Sequence, residues 1–495
     1  MKKFFSEQPL FILLVALFYL FSTLNAYFNL LLWSDLFIPT SLTIIGIHTA
    51  LYLLFGYLWP RQRKFALLAL YASVVYLFFG SILDFFKRYL PILSTYTYLL
   101  PFLLIIGAII FWLLRRSKHP FHNLFLYLNI LLVIFNINEI GKGIIVNSST
   151  LSNRFGPNYS KDADFQSAIC DTCQHPDIYM VVFDGYSASR TLKDFWGYDN
   201  SGLDSFLRQQ HFFVAGHARS NYNFTPYSLG SMLNMDFHAS VPNMADIPEF
   251  SEGIARMRPN KVMEVLRQNK YEIINQSFFP LSEEKPALNM TYLAGKERTI
   301  LSQTLPKRTR TDIGWNFGWY KPEDEVKEEY SLAAQQREQI GQNYSAIKAI
   351  SGQANQTPRF VFTHFLFPHD PYFYDSTGRL TPDSIWFKSQ GSMHNYLSQL
   401  KYANTYIKDL AVRLKRDAAR PRIILLISDH GYRGFRKEEL RSFEFNNLFA
   451  VYFPDEEYST LSDSVTAINT FPLLFNKYFH ARIPLKKDST VYIPH

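Results

Sequence analysis

Residues Ile178–Asp184 read IYMVVFD, and residues Ile423–Gly431 read IILLISDHG. Each opens with a short unbroken apolar run, Ile178–Phe183 and Ile423–Ile427, and then turns acidic. Runs this short, fed by Val, Ile and Leu, predict buried parallel strands, because only a strand covered on both faces is apolar throughout. Ligands of open α/β sheets sit beyond the carboxyl ends of such strands. Asp184, Asp429 and His430 are therefore expected at one pocket. Two carboxylates and an imidazole form a hard-to-borderline donor set, suited to one divalent ion, Zn or Mn. Thr225 would supply a hydroxyl that such an ion can ionise into a nucleophile.

Outward from these runs, short apolar stretches alternate with longer amphipathic ones. Further candidate strands are Phe360–Phe365 (FVFTHF) and Phe449–Phe453 (FAVYF). Candidate helices are Leu203–Gln209, Ser228–Met235, Lys261–Gln268, about Glu323–Ile350 and Tyr396–Leu414. The alternation predicts an α/β domain over residues 177–495, with a mostly parallel sheet sandwiched by helices. In Asn221–Leu229 (NYNFTPYSL), Thr225 reads as a helix N-cap and Pro226 as the first helical residue. A hydroxyl there also meets free N–H groups and the positive end of the helix dipole, which favour a bound phosphoryl group. His364 and His369 lie five residues apart in Thr363–Tyr372 (THFLFPHDPY), a Pro-broken loop after a strand. They are candidate substrate-binding residues, able to donate to non-bridging oxygens or to protonate a leaving group. Residues 280–320 are irregular and mixed in charge.

The first 140 residues or so are different. At 495 residues, with 48% hydrophobic residues, 45 Phe and 31 Tyr, the chain is too long and too apolar for one ordinary soluble domain. Five apolar segments concentrate that excess: about Leu10–Tyr27, Ile38–Leu58, Phe65–Leu83, Tyr96–Leu114 and Phe121–Ile137. Each approaches the roughly 20 residues needed to cross a bilayer. Residues 1–145 are thus expected to be a transmembrane domain of five helices. Lys2-Lys3, Arg61-Gln-Arg63-Lys64 and Arg115-Arg116-Ser-Lys118 fall on one side of it. The positive-inside rule makes that side cytoplasmic. Everything after about residue 140 is then expected outside, in the periplasm or at the cell surface of a bacterium. His48, Asn129, Asn136, Asn138 and Glu139 are polar for their depth. Helix–helix hydrogen bonding explains them more simply than a polar path for a lipid head group.

Residues 146–176 turn polar and read as a linker. They hold the only cysteines, Cys170 and Cys173. An oxidising compartment favours a disulfide here over free thiols or a metal pair. The formal charge of +8 is mild for this length, and basic residues alternate with aromatics nowhere, so no nucleic-acid partner is expected.

Taken together, these residues resemble the alkaline phosphatase/sulfatase superfamily. The nearest likeness is to its membrane-bound branch, which includes phosphoethanolamine transferases and lipoteichoic acid synthase. Those proteins also carry five N-terminal spans and an extracytoplasmic catalytic domain. By that resemblance Asp184, Thr225, Asp429 and His430 are the metal ligands, and Thr225 is also the nucleophile. His369, in Phe-Pro-His-Asp-Pro-Tyr, looks like the substrate-contacting histidine of the transferases, with His364 a weaker match. The chain departs from the pattern twice. Thr225-Pro-Tyr-Ser228-Leu lacks the Cys and Arg of the sulfatase motif. Phe443–Pro454 (FEFNNLFAVYFP) lacks a histidine that phosphoethanolamine transferases often carry.

The resemblance implies a membrane-bound, metal-dependent transferase. It would move a phosphoethanolamine- or phosphoglycerol-type head group from a membrane lipid to a cell-envelope glycan or lipid, through a phosphothreonine. The second reading is a sulfatase-like hydrolase or phosphodiesterase acting on sulfate or phosphate esters. The third is an inactive envelope binding module, which the intact Asp184, Thr225, Asp429 and His430 disfavour.

Overall fold

The computed structural model describes residues 2–27, 38–152, 166–239, 250, 253–254, 256–257, 260–279, 281, 300–317, 322–382, 392–416, 420–435 and 437–495. Residues 153–165 of the predicted linker lie outside the described residues, as does much of the stretch 280–320. The chain divides into two units. One comprises residues 1–149 and 293–329, the other residues 150–292 and 330–495.

The first unit is built from α1 (Phe11–Tyr27), α2 (Ile38–Leu53), α3 (Ala66–Tyr89), α4 (Tyr96–Arg116) and α5 (His122–Ser152). A wide π turn, Leu54–Leu58, extends α2. Four of these spans are long and apolar enough to cross a membrane: Ile38–Leu58, Pro60–Tyr89, Tyr96–Arg116 and His122–Ile144. The chain is a membrane protein. The fifth expected segment forms an apolar helix that is shorter, Phe11–Asn25. The polar residues at depth turn to neighbouring backbone. Asn129 Nδ2 donates to the carbonyls of Phe5 and Gln8, and Asn136 Nδ2 to those of Leu14 and Leu132. Glu139 accepts from Asn25 and Lys142. Such bonds satisfy groups that lipid cannot, and they tie α5 to α1.

A segment from far down the chain completes this unit. Ile300 and Leu301 pack with Ala16, Tyr19, Leu20, Ile44 and Leu77, and the Tyr19 hydroxyl donates to the Ile300 carbonyl. Helix α3 kinks at Phe78, with φ −111° and ψ 20°. The Gly80 N–H leaves the helical ladder and donates to the Gln303 carbonyl at 2.8 Å. A Cβ at Gly80 would displace the end of the Gln303 side chain and come within 3.2 Å of the Gln303 Cα, so a larger side chain would press on this segment. The short helix Leu305–Ile313 follows. It is held by Arg308 on Asp84 at 3.0 Å and by the Tyr96 hydroxyl on Asp312 at 2.6 Å.

The second unit is an α/β domain around one mixed sheet. Its strands are β1 (Asp177–Phe183), β2 (Phe213–Val214), β3 (Glu272–Gln276), β4 (Arg359–Phe365), β5 (Arg422–Ile427) and β6 (Phe449–Tyr452). They lie in the order β2-β6-β5-β1-β4-β3. β3, β4, β1 and β5 pair in parallel, while β6 runs antiparallel to both β5 and β2. Every residue of β1 and β5 is buried, as the unbroken apolar runs require. One face of the sheet (Tyr179, Val181, Val361, Ile424, Leu426) packs on Leu192, Leu207, Ile340, Leu400, Ile407 and Leu410 from four helices. On the opposite face Phe360 meets Phe471 of the helix Thr470–Tyr478. Fully burying a side chain of this size contributes about 1.5–3 kcal/mol. At the edge of this unit Cys170 and Cys173 are joined as a disulfide, with Cα atoms 5.6 Å apart.

Candidate metal centre

The parallel register builds the site. Val182 lies opposite Ile427 on one side and His364 on the other. Asp184 and Asp429 therefore leave the sheet at the same edge. Gly185 turns the chain there with φ +68°, a conformation that costs glycine little, and its N–H donates to Asp429 Oδ1 at 3.0 Å. Ser428 braces the loop: its hydroxyl donates to the His430 carbonyl at 2.6 Å and accepts from the Tyr186 N–H at 2.9 Å.

Thr225 opens helix α6 (Thr225–Asn234), whose residues are buried from Thr225 to Leu233. The predicted cap is displaced by one residue. Phe224 occupies the N-cap in extended backbone, without a side-chain cap bond. The Thr225 hydroxyl is thereby released from capping and lies 3.1 Å from His430 Nε2. The Ser228 hydroxyl, one turn on, donates to the Asp429 carbonyl at 2.5 Å and pins α6 to the strand end.

Four expected residues, Asp184, Thr225, Asp429 and His430, are thus brought together. His430 Nε2 lies 3.3 Å from Asp429 Oδ2 and 3.7 Å from Asp184 Oδ1. His364 joins them on the buried side. Its Nε2 is 3.5 Å from Asp184 Oδ2, and its ring lies 5.4 Å from those of both Phe278 and Phe279. It was expected to face substrate, but it is fully buried beside the carboxylates. Asp184, His364 and Asp429 each offer a ligand atom within 4.8 Å of the others.

The electrostatics suit a cation. Burial, then the Asp429 charge, pushes the Asp184 carboxyl up to about 7. Burial opposes ionisation of Asp429 too, but His430, His364, the Thr225 hydroxyl and the Gly185 N–H outweigh it and hold that carboxyl below its usual range. Burial drives His430 down to about 3 and His364 down to about 4, so both imidazoles are neutral at physiological pH. His430 Nδ1 faces the Gly431 carbonyl at 2.7 Å, which fixes the proton on Nδ1 and leaves the Nε2 lone pair toward the carboxylates. Among the described residues Asp184 Oδ1, Asp429 Oδ2 and both His364 nitrogens are buried without a hydrogen-bond partner. Buried carboxylate oxygens left unpaired cost several kcal/mol, and a divalent ion removes that cost. Two carboxylates, neutral imidazoles and a hydroxyl fit Zn or Mn.

His369 sits on the partly exposed side, its backbone N–H on the Asp184 carbonyl at 3.0 Å. Its Nδ1 is 3.0 Å from Asp370 Oδ1, and Arg433 Nη2 is 3.2 Å from its Nε2. Burial disfavours the imidazolium, but the Asp370 and Asp184 carboxylates outweigh it and raise the ring to about 9. The Arg433 contact pulls the other way, since a guanidinium only donates and needs an unprotonated Nε2. A cation on Asp184 would cancel part of the carboxylates' pull, and so favours the neutral ring that accepts from Arg433.

Arg433 and Glu444 were not anticipated. Arg433 lies in the turn Gly431–Gly434, and a basic residue between two glycines just after Asp429-His430 was the available signal. Glu444 is fully buried and accepts from Asn223 Nδ2 at 2.8 Å; burial pushes it up to about 7. Nothing local in FEFNNLF marks it.

A family model described as Sulfatase matches residues 196–476. The match covers Thr225, His364, His369, Asp429 and His430 and begins after Asp184. No curated protein sequence matches the chain. Among solved structures, the C-terminal periplasmic domain of EcEptC from Escherichia coli is similar at 13% identity and TM-score 0.37, over 66% of this chain and 91% of that chain. The integral membrane lipooligosaccharide phosphoethanolamine transferase A from Neisseria meningitidis is similar at 12% identity and TM-score 0.38, over 95% of this chain and 99% of that chain.

Proposed function

The chain belongs to the Sulfatase family of the alkaline phosphatase superfamily, and from that premise we propose a membrane-bound transferase acting through Thr225. It would move a phosphoethanolamine- or phosphoglycerol-type head group from a lipid donor to a cell-envelope glycan or lipid. The observation that carries this reading is the Thr225 hydroxyl at the start of α6, 3.1 Å from His430 and beside two buried carboxylates. Asp184, Asp429 and His430, with Thr225 itself, would hold one divalent ion, Zn or Mn, and His364 extends that donor set. The bound ion would supply the positive charge that makes a threonine hydroxyl acidic enough to react near neutral pH.

Thr225 Oγ1 would form a bond to phosphorus as the bond to the diacylglycerol oxygen breaks. The proton Thr225 loses and the one the leaving oxygen gains balance. His369, on the open side with Asp370 behind it, is the titratable group available to pass that proton. The Thr225 N–H at the start of α6 and the Arg433 guanidinium would hold the non-bridging oxygens. The acceptor hydroxyl then displaces Thr225 by the reverse of these steps.

A threonine at position 225 disfavours sulfatase chemistry, and the apolar helices favour a lipid donor. We take residues 1–145 as a five-helix transmembrane domain, 146–176 as a linker and 177–495 as the catalytic domain, with a mostly parallel sheet. Helix α1, at 17 residues, is at the short end of a bilayer crossing. The Lys and Arg clusters favour a cytoplasmic N-terminus in a bacterial inner membrane and a catalytic domain outside. The test uses full-length enzyme in vesicles holding phospholipid labelled in its head group. Wild type should release diacylglycerol and carry label, and Thr225→Ala should do neither. Turnover of aryl sulfates with no label taken from lipid would replace the transferase with a hydrolase.

A further inference from the structure

The membrane unit contains a groove of about 900 Å³ that no step above uses. Helix α3 lines it with Ala69 and Ala72, small residues that take up little of the space. Leu51, Phe55 and Phe111 of α4 also line it. The groove is apolar along its length and cationic at one end, where Lys64 and Arg115 line it. Lys64 Nζ is anchored 2.8 Å from the Ser117 carbonyl. Among the described residues Arg115 makes no ion pair or hydrogen bond, and it is exposed. Glu7 is the only carboxylate in the sequence segments that share this end, against eight Lys and Arg. Exposed Trp59 and Trp112 mark the same level as a membrane–water boundary.

We propose that this groove binds one anionic glycerophospholipid, of phosphatidylglycerol type, from the leaflet on the Lys/Arg side. The acyl chains would lie along Ala69 and Ala72, and the phosphate would meet Lys64 and Arg115. Charge complementarity selects this occupant, since a zwitterionic lipid leaves the paired cations uncompensated. Basic pockets between transmembrane helices on the cytoplasmic side hold anionic head groups for this reason. The bound lipid is distinct from the proposed donor, because this end of the bundle is the one read as cytoplasmic.

The experiment is native mass spectrometry of full-length protein released from nanodiscs containing phosphatidylcholine and phosphatidylglycerol. Wild type should retain phosphatidylglycerol preferentially. Lys64→Gln with Arg115→Gln should weaken that retention roughly thirty-fold, about fivefold per cation. Arg61→Gln with Arg116→Gln removes the same charge outside the groove and should keep the preference. Ala69→Trp, checked for an unchanged melting temperature, should exclude lipid of either kind. Equal retention of the two lipids by wild type would mean annular lipid only and would overturn the proposal. Equal losses from the two double variants would also overturn it, by reducing the effect to general surface attraction.

Discussion

Replacing Gly431 with Ala should loosen the centre without touching any proposed ligand. A Cβ at this position would lie 2.6 Å from the Asn446 carbonyl oxygen and 2.9 Å from that of Phe443. Both are backbone atoms, so no side chain can rotate away. The facing loop is itself pinned: Gly431 N–H donates to the Glu444 carbonyl at 2.7 Å, Ser220 N–H to Phe445 at 2.8 Å and Ala188 N–H to Asn446 at 3.1 Å. Relief requires a displacement of about 0.4 Å, shared between that loop and His430, whose Nδ1 is held by the Gly431 carbonyl. Overpacking of this kind costs about 1–3 kcal/mol. A misplacement of about 1 Å at reacting groups costs on the order of 100-fold in rate, so this shift predicts roughly a five- to tenfold loss. The assay pairs the melting temperature of the full-length protein in detergent with the rate of head-group label transfer. Gly202→Ala serves as the control, because nothing lies within 4 Å of its Cβ and alanine suits a helix better. If Gly431→Ala keeps both stability and rate at the control's level, the close approach is not what positions His430, and the reasoning fails.

Three further outcomes follow from the same geometry. Gly80→Val should expel the segment 300–304 from the membrane unit, so amide exchange across residues 300–313 should accelerate by at least tenfold; unchanged exchange would refute that docking. Burial holds His238 down to about 4, with its Nε2 on the Tyr227 carbonyl at 2.8 Å. The unfolded chain takes up that proton first, so stability present above pH 6.5 should fall by roughly 3 kcal/mol as pH drops to 4. His238→Gln should flatten that part of the profile, and an unaltered pH–stability curve would count against it. Zn or Mn at about 100 times its dissociation constant should stabilise wild type by about 2.7 kcal/mol and Asp429→Ala not at all, read from denaturation with and without chelator.

What the sequence discloses is what burial writes into it. The strands β1, β4, β5 and β6 are legible because their apolar runs are continuous. β3 is not: Glu272, Asn275 and Gln276 lie on a strand that, among the described residues, pairs with β4 alone, so no burial pattern marks it. β2 has two residues and exists only because β6 offers a partner. The helix Leu305–Ile313 is short and basic, and its anchors, Asp84, Tyr96 and Gly80, lie more than 200 residues away. At the centre, Asp184 and Asp429 are visible because a polar residue ending an apolar strand has few other reasons to be there. His364 reads from the sequence as a substrate-side residue, because strand spacing alone does not tell the carboxylate side from the open one. Thr225 reads locally as a cap, and only the fold shows Phe224 in that position and the hydroxyl turned toward His430.

The central claim is that Thr225 carries the transferred group. Wild-type protein, incubated with phospholipid and quenched before an acceptor is added, can be digested and its Thr225 peptide weighed. The account predicts a phosphorus-containing adduct on Thr225 whose mass identifies the head group, absent from Thr225→Ala and discharged when acceptor is supplied. An active enzyme that turns over lipid while its Thr225 peptide stays unmodified under every quench would contradict it.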